Sequence, residues 1–564
     1  MPASTLDRAR VLSLVPVPLS TTQLDDLLFA SKVELTGQDD RTLAVSVTPD
    51  RLDLLSEGGL GLYLEGAVEG ALGAPAVRPA PPEEPSVRIE VDPSVAPLRP
   101  QIAGVVVRAP EGAALDDDLR AEAIRFQELL HDSLGRERRA ASLGIYPIAS
   151  LTAPIRYSLE PLGGVRFVPL GGLETVDGPA FYRDHPMALR YGPLGRSGDR
   201  CLVLRDARDE VLSLPPVLNS RGAGEARVGD RALLLESTGT KERAVREALG
   251  LLLLVFAARG WSAAPVAVRG ADGREDDGRS LLAPRAIDLP SAIVAGVTGE
   301  SLASAEVARR LGRARVTARP HGAGWRVDVP PWRPDLQTAV DLAEEVVIAA
   351  PIRPESGLVP PSPVRGRRRS ETNFRRRFAA ALLGLGLALP NTSLLLSDAA
   401  VARLPTARPI RLRYPVSAEF SYVRDRLLLS HLEVLARNTR HGYPQRFGEV
   451  GPVLVVDPAS ESGARTAYRL GIVVAADGAG FADAAGIVDH LLRGIDVVGV
   501  REPAELPGGI AGRAARARVA GEPVAELGEI DPGILTELGV PVPAVWAELD
   551  LSALWLLSGL REAA

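Results

Sequence analysis

Two proline-rich stretches limit what this chain can fold into. Residues 74–85 read APAVRPAPPEEP and residues 351–363 read PIRPESGLVPPSP. Proline locks φ and has no amide proton, so neither run continues a helix or a central strand. Stiff polar runs of this kind behave as linkers. A charged glycine loop at 270–278 (GADGREDDG) marks a third break. These cuts leave segments of about 75, 190, 70 and 200 residues, each the size of a domain or subdomain. Of the 564 residues, 46% are hydrophobic, enough for several packed cores and too many for a disordered chain. The expectation is a multidomain α+β protein with domains at 1–75, 86–275, 285–355 and 364–564.

Within these segments the pattern alternates. Residues 19–28 have helical spacing behind a capping threonine, and 43–47 read as a strand. A helix is expected from Leu52 to about Leu72. The second segment is strand-rich: Gln101–Arg108 is a strand, 116–136 an amphipathic helix and 203–214 a hairpin about the turn 206–209. A strand at 232–235 and an apolar helix at 242–258 follow. In the third segment a short helix at 304–311 precedes strands at 315–319 and 325–329 and a helix over 337–350. The fourth opens on a basic helix at 375–385 and continues with a helix at 428–438 and a strand at 452–457.

Charge and cysteine content narrow the classes. The 65 basic residues face 71 acidic ones, a net charge of −6, so any nucleic-acid contact comes from a local patch. Cys201 is the only cysteine, which excludes a disulfide framework and a cysteine-rich zinc site. The six histidines have no paired metal spacing. The N-terminus lacks a secretory pattern, and the most apolar run, 249–258, is too short to span a bilayer. The chain reads as a soluble cytoplasmic protein with no membrane partner. Lys32 and Lys241 are the only lysines, an arginine bias that points to a GC-rich genome.

Four constellations bear on chemistry. Asp341, Glu344 and Glu345 stand at i, i+3 and i+4 on the expected helix, with Asp335 just before it. Such carboxylates suit Mg²⁺; acidic residues also favour helix starts through the dipole alone. Arginines crowd 365–369 and 375–377, a patch for an anionic partner such as RNA or a solvated linker. The run 236–241 (ESTGTK) imitates a phosphate loop without its spacing. Ser213, Asn219, Glu236 and Thr238 place polar groups at the ends of neighbouring strands, where they line a small-molecule pocket or serve as turn residues. No nucleophile motif and no dinucleotide fingerprint is present.

The order of segments resembles the β subunit of phenylalanine–tRNA ligase in its archaeal/eukaryotic form. The stretches that carry this are TPDRLDLLSEG (48–58), LSLPPVLNS (212–220), LESTGT (235–240), VDVPPWRPD (327–335) with DLAEEV (341–346), RN (437–438) with YPQRFGEVG (443–451), and LGEIDP (527–532). The resemblance spans nearly the whole chain. It implies an N-terminal α/β domain, an editing-type α+β domain, a small winged-helix-like nucleic-acid-binding domain, and an antiparallel class II synthetase-like domain without an active site. It further implies an α₂β₂ heterotetramer in which the α subunit binds ATP and makes the adenylate, with tRNA(Phe) as substrate. Of the ATP-site pattern only Gly559-Leu560-Arg561 remains. Asp335, Asp341, Glu344 and Glu345 fall on the family's shared Mg²⁺ ligands. Ser213, Asn219 and Thr238 match its editing pocket, which would hydrolyse Tyr-tRNA.

Three positions depart from the family pattern. Glu236 replaces an aspartate, and its extra methylene is expected to crowd a bound tyrosine. Residues 349–352 read AAPI where the family has Ala-Tyr-Gly-Tyr, and Asp531 replaces a histidine. A divergent, non-catalytic paralogue acting as an RNA- or protein-binding module is the alternative.

Overall fold

The computed structural model describes residues 2–75, 77–80, 87–350, 366–404 and 408–558. The chain forms two compact units, Met1–Leu358 and Val359–Ala564. The linker at 351–363 and the terminal Gly559-Leu560-Arg561 lie outside the described residues. Both units are α+β and together hold several separate sheets.

The first unit opens with a three-stranded antiparallel sheet of Ala3–Asp7, Thr42–Val47 and Val33–Gln38, with Thr42–Val47 central. The helix Thr21–Ala30 is capped by Ser20, not by a threonine, in a reciprocal box with Gln23. The single helix expected from Leu52 is two pieces: a 3₁₀ turn at Leu52–Leu55, then Glu57–Ala67 behind the cap Ser56. This part has no core of its own. Leu54, Leu60 and Leu64 join one apolar cluster with Phe126, Leu253 and Phe256, which belong to the helices Asp117–Asp132 and Glu242–Ala257. The apolar run at 249–258 is therefore a core helix.

Those two helices contribute to the core on one face of a four-stranded antiparallel sheet, in the order Ser262–Pro265, Gln101–Arg108, Ala232–Gly239, Ala141–Pro147. On its other side Val106, Tyr146 and Leu234 form a second core with Ile89, Tyr157 and Leu202 of an eight-stranded mixed sheet. Side chains alternate between the two cores because successive strand residues face opposite ways. The expected hairpin is Arg200–Arg205 paired with Val211–Leu214. The glycine loop at 270–278 is no linker: Glu275–Asp276 pairs back on Ala267–Arg269 and closes a hairpin in the large sheet. Part of the first proline-rich stretch is likewise held to a sheet edge, since the Ala80 amide donates to Ala263 O and the Ala263 amide to Arg78 O.

The small third sheet has Gly324–Val329 between Arg285–Pro290 and Thr317–His321. The helices Ser291–Thr298, Ser304–Arg313 and Ala339–Ile348 close its core around Trp325, Val327 and Leu342.

The second unit is built on a six-stranded antiparallel sheet, in the order Gln445–Val456, Ala464–Ala475, Ala544–Asp550, Glu522–Ile530, Gly509–Val519, Val500–Pro503. Leu470, Ile472 and Val474 face a core shared with the helices Ser370–Gly384 and Phe481–Arg493, while Val473 and Ala475 face Leu427–Arg437. The arginine patch divides. Arg375 pairs with Glu371 and lies 3.7 Å from the Tyr468 ring centre, whereas Arg367–Arg369, Arg376 and Arg377 are exposed. Asp531 accepts from the Gly533 amide at 2.7 Å and caps the helix Pro532–Glu537, a role that suits an aspartate.

Candidate functional site

A cavity of about 420 Å³ opens beside the edge strand Ala141–Pro147 of the four-stranded sheet. Ser213, Asn219 and Glu236 line it, as the sequence predicts, together with Ser142 and Tyr146. The chain brings them there by pairing. After Leu214 the two prolines turn the chain back, so that Asn219 lies opposite Ser213 in register. The Asn219 amide donates to Gly224 O at 3.0 Å. Glu236 sits in the central strand, opposite Gly104 on one side and Gly144 on the other. A Cβ at Gly144 would stand 2.3 Å from the Tyr146 hydroxyl and 2.7 Å from Glu236 Oε2, so this glycine makes room for both side chains.

The polar groups form a chain. The Tyr146 hydroxyl lies 2.9 Å from Ser213 Oγ and donates to Glu236 Oε2 at 3.1 Å. Glu236 Oε1 is buried and has no partner. Thr238 stands one step behind the cavity: Arg99 Nε donates to its Oγ1 at 3.1 Å, and Ser142 Oγ lies 3.1 Å from the same atom. Burial pushes the Glu236 carboxyl up to about 7, against the pull of the Tyr146 hydroxyl, the Arg99 charge and the Thr238 hydroxyl. Burial also raises the Tyr146 phenol well above its usual range, and the Glu236 charge adds to this. A buried carboxyl titrating near neutrality beside a cavity makes these residues a candidate functional site. Tyr146, Ser142 and Arg99 were not visible as site residues, because nothing local in their sequence neighbourhoods distinguishes them.

The acidic helix presents a different picture. Asp335 and Glu345 are buried against arginines. Arg333 grips Asp335 with Nε and Nη2 at 2.9 and 2.7 Å, and the same Nη2 reaches Glu345 Oε1 at 2.6 Å. Arg51, itself bidentate to Asp53 at 2.9 Å, lies 3.7 Å from Glu345 Oε1 and over the Tyr63 ring. Burial would raise the Asp335 carboxyl, but the charge and hydrogen bonds of Arg333 outweigh it and hold it below its usual range. Asp341 is engaged elsewhere, its Oδ2 accepting from the Gln337 and Thr338 amides as a helix cap. Glu344 reaches out to Lys32 at 2.5 Å.

The four carboxylates predicted to hold Mg²⁺ thus point to three different partners. Among the described residues no three acidic, histidine or cysteine side chains converge on a point where a metal would sit. Two of the four are neutralised by guanidinium and a third caps its own helix, so as arranged they do not fit a Mg²⁺ site. Titrating Mg²⁺ to millimolar levels into the full chain alone is expected to leave its melting midpoint unchanged, since a ligand stabilises only what it binds. A rise of several degrees, reversed by chelation, would contradict this. Arg51, Asp53 and Arg333 sit inside the motifs TPDRLD and PPWRPD, so the sequence displayed them without their role.

Comparisons with known proteins agree with this architecture. Residues 287–350 match the tRNA synthetase B5 domain family, and residues 357–551 match the phenylalanyl tRNA synthetase beta chain CLM domain family. Both are modules of aminoacyl-tRNA synthetases, which sets the class of the protein. The chain is 31% identical to the phenylalanine–tRNA ligase beta subunit of Aeropyrum pernix, over 98% of this chain and 99% of that one. It is 29% identical to the same subunit of Korarchaeum cryptofilum, over 94% and 95%. An N-terminal fragment of the phenylalanyl-tRNA synthetase beta subunit from Pyrococcus horikoshii shares the fold, with a TM-score of 0.56 at 24% identity, covering 62% of this chain and 99% of the fragment. The chain belongs to the phenylalanine–tRNA ligase beta subunit family.

Proposed function

We propose that this chain works in the cytoplasm as the non-adenylating half of a ligase that joins phenylalanine to tRNA(Phe) with ATP. The adenylation chemistry would reside in an α subunit, in an α₂β₂ assembly. The six-stranded antiparallel sheet of the second unit supports a class II-like scaffold, and the small sheet with its three helices supports a winged-helix-like module. The observation that carries the rest of the reading is the cavity holding Ser213, Asn219 and Glu236, with one carboxyl oxygen unpartnered.

In this reading the pocket removes tyrosine from mischarged tRNA. Glu236 and Ser213 line the cavity and offer hydrogen-bond partners to a phenol hydroxyl, and a buried polar group left unpaired by a phenylalanyl ring costs about 1–3 kcal/mol. That penalty favours the tyrosyl ester. Asn219 is the cross-strand neighbour of Ser213 on the same face, and in this reading its side chain helps position the bound ester. Water attacks the ester carbonyl carbon, the bond to the ribose oxygen breaks, and that oxygen leaves with a proton; the pocket's task is to orient ester and water. Asn219→Ala is expected to slow Tyr-tRNA hydrolysis by roughly tenfold or more, the value of one positioning hydrogen bond. Phenylalanylation should require this chain and its partner together. Full charging activity without this chain, or Tyr-tRNA hydrolysis unchanged in Asn219→Ala, would refute the corresponding half of the reading.

A further inference from the structure

Tyr146 builds a phenol of the chain's own into the wall of the cavity. The side chain is 1% exposed, and it packs in the core between the two sheets with Leu212 and Leu234. It folds back along its own strand over Gly144, the residue opposite Glu236. The hydroxyl therefore meets a carboxylate of its own sheet and a serine of the other. It donates to Glu236 Oε2 at 3.1 Å and lies 2.9 Å from Ser213 Oγ.

Counting protons fixes the sense of these two bonds. A phenol and a serine hydroxyl have one proton each, and an ionised carboxylate has none. The Tyr146 proton is spent on Glu236. Two hydroxyl oxygens 2.9 Å apart share a proton, so the Ser213 proton is spent on Tyr146. Ser213, which lines the cavity, is left with lone pairs alone. A free serine rotates its hydroxyl to suit either kind of ligand. This one is held in a single sense, and in a low-dielectric site each bond of such a chain strengthens the next. Glu236 offers nothing of the opposite kind, because Oε2 already accepts from Tyr146 and Oε1 is buried.

We propose that Tyr146 is a positioning residue: by donating to Glu236 it turns the Ser213 proton away from the cavity, so that Ser213 accepts and never donates, and the pocket selects an aminoacyl ester whose ring ends in a hydrogen-bond donor. The ligand class is then wider than tyrosine and is set by the direction of one proton. The inference rests on the editing reading above and narrows it to Ser213 as the contact at the ring end.

The test uses the full chain with its charging partner at pH 8.5, above the value of about 7 at which Glu236 ionises. The probes are tRNA(Phe) carrying tyrosine, phenylalanine, 4-aminophenylalanine or 4-fluorophenylalanine. Of the last two, the amino group donates and the fluorine only accepts. The wild type is expected to hydrolyse the tyrosyl and 4-amino esters alike. The phenylalanyl and 4-fluoro esters should be slower by about tenfold or more, the effect of one buried polar group left unpaired. Tyr146→Phe frees the Ser213 hydroxyl to turn, and is expected to bring the 4-amino/4-fluoro ratio of kcat/KM about tenfold closer to one. A side chain that only filled space would scale all four esters together. Ser213→Ala should lose the same preference. Where Tyr146→Phe lowers the hydrogen-exchange protection of the Ala141–Pro147 strand, the wild-type panel and Ser213→Ala carry the test without it. A wild type that hydrolyses none of the four esters defeats the editing reading itself. A wild type that clears the tyrosyl ester but treats the 4-amino and 4-fluoro esters alike overturns the inference and leaves that reading in place. So does a donor preference kept in full by a folded Tyr146→Phe or by Ser213→Ala.

Discussion

Replacing Arg333 by methionine is expected to destabilise the first unit by about 3–5 kcal/mol, the range for removing one partner from a buried ion pair. The buried set holds two guanidinium groups, Arg51 and Arg333, and three carboxylates, Asp53, Asp335 and Glu345. Arg333 is 2% exposed and carries the bonds to two of the three. Without it Asp335 and Glu345 are left in a dry site with Arg51 alone, which already serves Asp53. The loss is thus the cost of uncompensated charge more than of missing contacts. Arg333→Met combined with Glu345→Gln should be more stable than Arg333→Met alone, since one orphaned charge is gone. Urea unfolding of the full chain, with hydrogen exchange of the Gly324–Val329 strand as the local probe, measures both. A single substitution costing under about 1 kcal/mol would show that the network contributes little.

The stability of the pocket strand should fall as pH rises, and Glu236→Gln should abolish that fall. Glu236 titrates at about 7 in the folded chain against an ordinary 4.5. Between these values the unfolded chain has lost the proton that the folded chain keeps, so the unfolded state binds fewer protons and raising the pH favours it. The contribution is complete below pH 4.5 and is lost as pH rises through 7. A rise from 4.5 to about 7 corresponds to about 3 kcal/mol. Glutamine keeps the shape without the charge. The variant should therefore match the wild type at pH 4 and exceed it by about 3 kcal/mol at pH 8.5. Exchange protection of Ala232–Gly239 at both values reads this directly, and parallel pH profiles for the two proteins would sink it.

The two predictions share a cause. Both concern charge enclosed by packing, where a change of one proton or one guanidinium is felt at low dielectric. They differ in how the charge is answered. The Arg333 cluster answers carboxylates with arginines. The pocket answers Glu236 with the Tyr146 hydroxyl and, among the described residues, with no ion pair.

Read from the residues alone, the strands and helices were legible wherever periodicity was strong. Gln101–Arg108 was bounded as expected, and Leu427–Arg437 within a residue, because apolar alternation and helical spacing are local properties. The helix expected over 116–136 stops at Asp132, before three consecutive residues, Arg136 to Arg138, with φ of 52°, 54° and 65°. No propensity announces that turn; it lets Arg138 reach Glu128, Pro216 O and Val217 O. The glycine loop at 270–278 read as a break because composition does not reveal pairing, and only the neighbouring strand made it a hairpin.

The sequence by itself determined which motifs exist and in what order, and those sufficed to resemble one family over nearly the full length. It also determined that Ser213, Asn219 and Glu236 were worth watching. Only the tertiary structure decided what the charges do. Spacing along a helix put Asp341, Glu344 and Glu345 on one side, but arginines 294 and 12 residues away from Glu345 in the chain, Arg51 by packing and Arg333 by a turn, decide how its carboxylate is used. Electrostatic partners are chosen by distance in space and by exclusion of water, and neither quantity is encoded locally.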